Sequence, residues 1–442
     1  MSLRLLESLA TTEALADVFS DAAVLASMLR FEVALARAES RVGIIPTPAA
    51  DVIAGVTLDV FDPAAIARGA RASGTITIPF VEALTAKVRA ADPAAATFVH
   101  WGATSQDVSD TALVLCLVRA LGILTADHNR LAGALRRLSE GHAGTLMLAR
   151  TLLQPAPPTT FGLKVAGWFG AVSRSEGAMA SAARDACVLQ FGGASGTLAA
   201  LGSQGLTVAS ELARQLELPL PDAPWHAHRD RLGSLVAACG VYTGTLGKIA
   251  RDVSLLMQYE VAEAAEPGGP SSTMPHKRNP AGCAIALAAA TRVPGLVSAF
   301  LSGMPQEHER GVGGWQAEAA TVASVVQTTG AALAAMAGVV ERLSVDPERM
   351  RENIAATHGL VFAERAMMLL APALGREAAG RLIAAAVDAA ARGGESFVAA
   401  LTANAEVVST LTADDLSSLG TPEVYLGVAE QFRRRLIGDE RE

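Results

Sequence analysis

The stretch GGPSSTMPHKRNP, residues 268–280, sets two adjacent serines, Ser271 and Ser272, beside a His-Lys-Arg run that closes on Asn279. A serine hydroxyl is a poor acid or base on its own. Nearby cations and amide N–H groups lower the cost of its alkoxide. Lys277 and Asn279 are equally suited to stabilising negative charge that develops on a substrate carboxylate. Gly268 and Gly269 allow backbone movement, and Pro280 suits the first position of a following helix. Lys277 is one of 4 lysines against 32 arginines in the chain. A surface turn needs no paired serines followed by Lys and Asn.

Three further polar stretches sit at expected helix ends. In HWGATSQDVSDTA, residues 100–112, Thr104 and Asp107 fit the T-x-x-D capping pattern. A cap alone would account for them, but His100, Thr104 and Ser105 also lie beside a helix N-terminus, where exposed N–H groups favour a bound anion. In ARTLLQPAPPTTFG, residues 149–162, Arg150, Thr151 and Gln154 precede a proline-rich break. This reads as a helix junction, with Thr159 or Thr160 capping the next helix. In PQEHERGVGGWQAE, residues 305–318, Arg310 is the natural fork for a carboxylate, although a solvated junction explains the stretch equally well. Arg310 is therefore a candidate for a substrate carboxylate. His226 and His228 in WHAHRD lack a third ligand at convincing spacing, so no metal site is expected. FGGASGT, residues 191–197, lacks G-x-G-x-x-G and follows no predicted strand, which argues against a nucleotide site. His128, His142 and His358 are read as structural.

The composition says what positions these groups. Hydrophobic residues make up 51% of the 442 and aromatics only 4%, an alanine- and leucine-rich balance that favours close-packed helices. A net charge of −8 argues against a nucleic-acid partner and requires any pocket for an anionic substrate to be locally basic. Cys116, Cys187, Cys239 and Cys283 are widely spaced and read as small buried hydrophobes in a reducing compartment. No signal peptide is evident, and residues 319–340, uncharged for 22 positions, are read as a helix surrounded by others rather than a membrane span.

Prolines punctuate the first hundred residues but are missing between Pro93 and Pro155 and between Pro224 and Pro267, which permits long helices. Leu232, Leu235, Cys239, Tyr242, Leu246, Ile249, Val253 and Leu256 form a heptad seam. A helix over 229–266 would run roughly 57 Å and pack against others of similar length, with several subunits contributing. The expected division is a helical head (1–101), a long-helix bundle (102–342) and a helical tail (343–442), whose start at Asp346-Pro347 looks like a helix cap.

With these stretches placed, the chain resembles the fumarase/aspartase superfamily over nearly its whole length. SSTMPHKRNP closely matches that superfamily's signature G-S-S-x-M-P-x-K-x-N-P. GATSQDVSDTA is similar to its first characteristic region and RTLLQPAPPTTFG to its second. The resemblance implies an all-α protein of three helical domains, whose central bundles assemble into a homotetramer with a twenty-helix core and active sites shared between subunits. It implies addition or elimination across a double bond next to a carboxylate, through an aci-carboxylate and without a cofactor. It assigns the catalytic serine to Ser271, the charged intermediate to Lys277 and Asn279, and a substrate carboxylate to Thr104 and Ser105. With the resemblance in place, Arg150, Arg278 and Arg310 are the candidates for substrate carboxylates, and Thr151, Gln154, Ser272 and Met274 complete the expected substrate-binding set.

Two positions depart from the pattern. Superfamily lyases carry histidine in the second region, as R-T-H-x-Q, where this chain has Leu153; and Pro270 replaces a glycine, stiffening that hinge. Within the superfamily, RTLLQ, HWGATSQD and QEHERGVGGW look most like the bacterial 3-carboxy-cis,cis-muconate cycloisomerases of protocatechuate breakdown. That likeness implies a cytoplasmic enzyme closing a lactone on a tricarboxylate, with Ser271, Lys277 or His100 delivering the proton. The competing readings are an adenylosuccinate-type lyase, a sulfomuconate cycloisomerase and a non-catalytic helical scaffold.

Overall fold

The computed structural model describes residues 5–269, 274 and 277–438, and it is helical with two short antiparallel strand pairs. Six helices carry the argument: α1 (Asp21–Val42), α2 (Ser105–Gly141), α3 (Phe161–Ala186), α4 (Asp230–Leu256), α5 (Ala281–Gly303) and α6 (Gly314–Glu341). Between α2 and α3 runs a hairpin of β1 (Leu146–Thr151) and β2 (Gln154–Thr160). The second strand pair joins Ala264–Ala265 to Ser344–Val345.

Local signals set these boundaries. The Ser20 hydroxyl accepts from Ala23 N–H to start α1, and Gly43, left-handed at φ 87°, ends it. The proline-free gap after Pro93 is occupied by α2, 37 residues long. Asp346 caps the helix Pro347–Ala355 by accepting from Arg349 N–H, as its Asp-Pro start suggests. Pro280 directly precedes α5.

The heptad seam of α4 is buried throughout, from Leu232 at 0% to Leu256 at 4% exposure. Burial inside one chain means that the seam itself does not call for other subunits. The helix is shorter than the proline gap allows. At Leu256 the chain leaves the helix, passes Ala262 in a left-handed conformation (φ 50°), and returns Glu263 N–H to the Leu256 carbonyl. That turn buries Glu263 and lets Ala264 pair with Val345.

A second difference lies at ARTLLQPAPPTTFG, which forms a hairpin and not a helix junction. Leu152 and Leu153 make its two-residue loop, with φ 51° and 65° as a primed hairpin turn requires. The ladder shifts register between Leu148 and Ala149. Thr160 caps α3 as expected, its hydroxyl accepting from Leu163 N–H.

The chain divides into two compact units. The first draws on Met1–Asn129, Arg174–Gly247 and Ile285–Ala335, and the second on Arg130–Ser173, Lys248–Ala284 and Met336–Glu442. In the first, an ionic cluster is buried: Arg229 pairs with Asp110 and Glu318, while Trp315 Nε1 and Gln190 Nε2 also donate to Asp110. The Arg229 guanidinium lies 4.6 Å from the Trp225 ring centroid. In the second, Leu146 and Leu148 of β1 pack with Ile354, Val361 and Phe362, and a tail cluster forms around Leu370, Ile383 and Phe397.

Of the cysteines, Cys116, Cys239 and Cys283 are buried, Cys187 is partly so, and all four are free thiols. Among the described residues three helices, α2, α5 and α6, are long and apolar enough to cross a membrane by length and composition. They differ in packing: 67% of the most apolar window of α6 is buried inside the chain, against 22% for α5. Residues 319–340 thus lie mostly among other parts of the protein.

Candidate active site

The first unit gathers His100, Thr104, Ser105 and Arg310. Ser105 opens α2, and Thr104 N–H donates to the Asp107 carboxylate at 3.0 Å, the backbone half of the cap expected from T-x-x-D. The Thr104 hydroxyl is engaged elsewhere: Arg310 Nη1 donates to it at 2.6 Å, while Nη2 donates to the carbonyls of Gly193 and Ala194. A guanidinium and a hydroxyl therefore meet at the N-terminus of a long helix, a setting that favours an anion.

Asp107 does more than cap. It also accepts from Gly192 N–H, Gly193 N–H and His226 Nε2 at 3.0, 2.9 and 2.7 Å. The glycine-rich stretch FGGASGT has its physical reason here, because Gly193 is left-handed (φ 69°) and a Cβ there would meet the Gly102 carbonyl at 2.8 Å. His226, one of the paired histidines, is likewise committed to a carboxylate.

His100 stands just before this turn with φ 59°, its Nδ1 2.6 Å from Glu32 Oε1. Burial alone would lower its pKa, but the charge and hydrogen bond of Glu32, with help from Asp107, carry it above the ordinary histidine value. The same unit holds a cavity of about 590 Å³ lined by Arg71, Thr75, Ser109, Leu113 and Trp315 among others, with His100, Thr104, Ser105 and Arg310 outside its lining.

The second unit holds two separate groups, Arg150, Thr151 and Gln154 on the hairpin and Met274, Lys277, Arg278 and Asn279 on the 268–280 stretch. Thr151 and Gln154 face each other across the hairpin turn, whose tip residues Leu152 and Leu153 are 96% and 76% exposed. Arg150 already holds a carboxylate: both terminal nitrogens donate to buried Glu263, at 2.9 and 2.7 Å, and Asn353 donates to the same group. Any substrate carboxylate at Arg150 has to share the guanidinium with Glu263.

The base of the 268–280 stretch is closed by a bridge, Gly269 N–H donating to the Asn279 carbonyl at 2.8 Å and Asn279 N–H returning to Gly269 at 3.3 Å. Gly268 is required there, since it is left-handed and a Cβ would meet that of Arg278 at 2.8 Å. Glu266, buried, accepts from Gly282 and Cys283 N–H and so anchors the first turn of α5. Lys277 and Arg278 line a cavity of about 950 Å³ together with Met274, Tyr259 and Asp346. Among the described residues Lys277 has no anionic partner. Pro270, Ser271 and Ser272 lie outside the described residues.

Sequence reading missed Glu32, Glu263, Glu266 and the Asp110–Arg229–Glu318 cluster. For Glu32 a signal existed. It and Glu39 fall seven residues apart on the apolar stripe of α1, where charged residues need a reason. Glu263 and Glu266 carry no such periodicity.

The helical fold, the cationic loop closed at its base and the polar helix start define a class. The chain belongs to the fumarase/aspartase superfamily: the family described as "Lyase" matches residues 8–295, and "Adenylosuccinate lyase C-terminus" matches 359–436. More particularly, it is 47% identical over 427 residues to the 3-carboxy-cis,cis-muconate cycloisomerase of Pseudomonas aeruginosa, covering 96% of this chain and 93% of that one. The corresponding protein of Bradyrhizobium diazoefficiens is 45% identical over 438 residues, covering 98% and 97%. The crystal structure of the 3-carboxy-cis,cis-muconate lactonizing enzyme from Pseudomonas putida superposes with a TM-score of 0.93 at 42% identity, covering 99% of both chains.

Proposed function

We propose that this chain is a cycloisomerase that closes 3-carboxy-cis,cis-muconate to 4-carboxymuconolactone. The observation that carries the reading is near-full-length similarity, at 45% and 47% identity, to two proteins bearing that activity in their names. Leu153 supports it physically. Superfamily lyases have a histidine at this position, whereas an internal carboxylate that attacks its own double bond needs no base to activate an amine or water.

In the proposed step the substrate's carboxylate oxygen bonds to an alkene carbon, and the π electrons move into the neighbouring carboxylate as an aci-carboxylate. A proton then adds to the carbon between them. Holding the attacking carboxylate near the alkene supplies about 7 kcal/mol or more of the barrier. Lys277 and Asn279 stabilise the aci-carboxylate, and Ser271 or His100 delivers the proton. Thr104, Ser105, Arg278 and Arg310 bind substrate carboxylates, with Ser272, Met274, Thr151 and Gln154 around them. Arg150 joins them while bracing the hairpin through Glu263.

The proposed assembly is a cytoplasmic homotetramer in which neighbouring protomers complete each site, with head, bundle and tail at 1–101, 102–342 and 343–442. Two features support shared sites: α5 buries little of its apolar surface within one chain, and the two strained leucines of the hairpin tip project into solvent. The assay is direct. Purified protein given 3-carboxy-cis,cis-muconate should remove its ultraviolet absorbance and yield the lactone. Fumarate release from adenylosuccinate, a preference for a sulfonated muconate, or inactivity across such a panel would each displace the reading in favour of the corresponding rival.

A further inference from the structure

Glu32 is 1% exposed on α1, yet it carries a carboxylate in a helix whose other inward residues are mostly apolar. A buried carboxyl group stays charged only where it is paired, and otherwise keeps its proton. The partner is His100, 2.6 Å away through Nδ1, on a residue whose left-handed backbone (φ 59°) costs on the order of 1 kcal/mol or more. Nδ1 is therefore committed, while Nε2 has no hydrogen bond among the described residues and the side chain keeps 18% of its surface accessible. A strained backbone, a buried carboxylate and an unengaged ring nitrogen coincide four residues before Thr104, which Arg310 contacts.

We propose that Glu32 is a positioning residue: by accepting Nδ1–H it sets the direction of the His100 ring and favours the imidazolium, whose Nε2–H donates the proton to the reacting carbon and leaves the neutral Nδ1–H ring. The inference rests on the lactonising reading of the site and adds to it a choice among the proton donors. The charged groups bearing on His100 are Glu32 from α1 and Asp107 from the first turn of α2, and both favour the imidazolium. A pair serving only to tie α1 to the 100–104 turn would affect stability and leave the pH dependence of turnover alone.

The test compares the wild type with Glu32→Gln and Glu32→Asp in kcat and KM on 3-carboxy-cis,cis-muconate from pH 5.5 to 9. Titration of the His100 imidazole by NMR, assigned with His100→Gln, runs alongside. Glu32→Gln should move the alkaline limb of kcat downward by about one pH unit, a roughly tenfold loss on that limb, with little change in KM. The His100 midpoint should fall with it, and Glu32→Asp, which retains the charge, should recover part of both. An unchanged limb and midpoint in a folded Glu32→Gln would overturn the proposal, as would a moved midpoint with unaltered kcat. If Glu32→Gln does not fold, Glu32→Asp decides by the same two readouts. Should the wild type fail to turn over muconate, the function reading fails on its own, and the NMR titration still reports on the pair.

Discussion

Lys277→Ala should abolish nearly all turnover while leaving helicity and assembly intact. Lys277 is exposed, lines the larger cavity, and has no anionic partner among the described residues, so no structural ion pair is lost with it. In the proposed mechanism, what disappears is a positive charge where the aci-carboxylate develops. Removing one donor of this kind costs about 10²- to 10³-fold in kcat. Because the charge it answers exists chiefly in the transition state, kcat and kcat/KM should fall together. Steady-state kinetics with circular dichroism and gel filtration would check this. Near-wild-type kcat would remove Lys277 from the mechanism.

A second large effect concerns stability. Glu39 is 0% exposed on α1, and neither carboxyl oxygen has a hydrogen-bond partner. Burial, reinforced by the charge of Glu32, raises its pKa from 4.5 to about 9. The folded state thus keeps a proton that the unfolded chain releases. Stability from this group is complete below pH 4.5 and declines as pH rises toward 9, by about 1.4 kcal/mol per pH unit. By pH 7 the loss is on the order of 3 kcal/mol. Glu39→Met, similar in size and without the charge, should become progressively more stable than the wild type between pH 5 and 9. Urea denaturation at several pH values would show it, and a difference that does not vary with pH would contradict it.

These two residues mark the limits of what can be read from sequence. Lys277 stands in a motif whose chemistry is local and therefore visible. The α4 seam was equally legible, since a three-four spacing of apolar residues depends only on helical geometry, and all eight of its members are buried. The cap at Thr104–Asp107 was visible in its backbone half, but not the Arg310 contact that takes up the hydroxyl, because that pairing spans 206 positions. The hairpin escaped notice for a definite reason. Leu-Leu is a poor residue pair for a left-handed turn, and the prolines of β2 argue against a strand. Where both rules are broken together, the strain is itself a sign of function. The early end of α4 was hidden because burial of Glu263 depends on Arg150 and Asn353 arriving from distant segments.

The proposed site draws its parts from different copies of the chain. His100, Thr104 and Arg310 belong to one compact unit, and Lys277, Asn279 and the hairpin to the other. Co-refolding inactive Lys277→Ala with inactive Thr104→Ala tests it most directly. Mixed oligomers should regain lactonising activity that neither parent has, because some sites would draw both intact residues from different protomers. Mixtures that form hetero-oligomers yet stay as inactive as their parents would contradict the shared site.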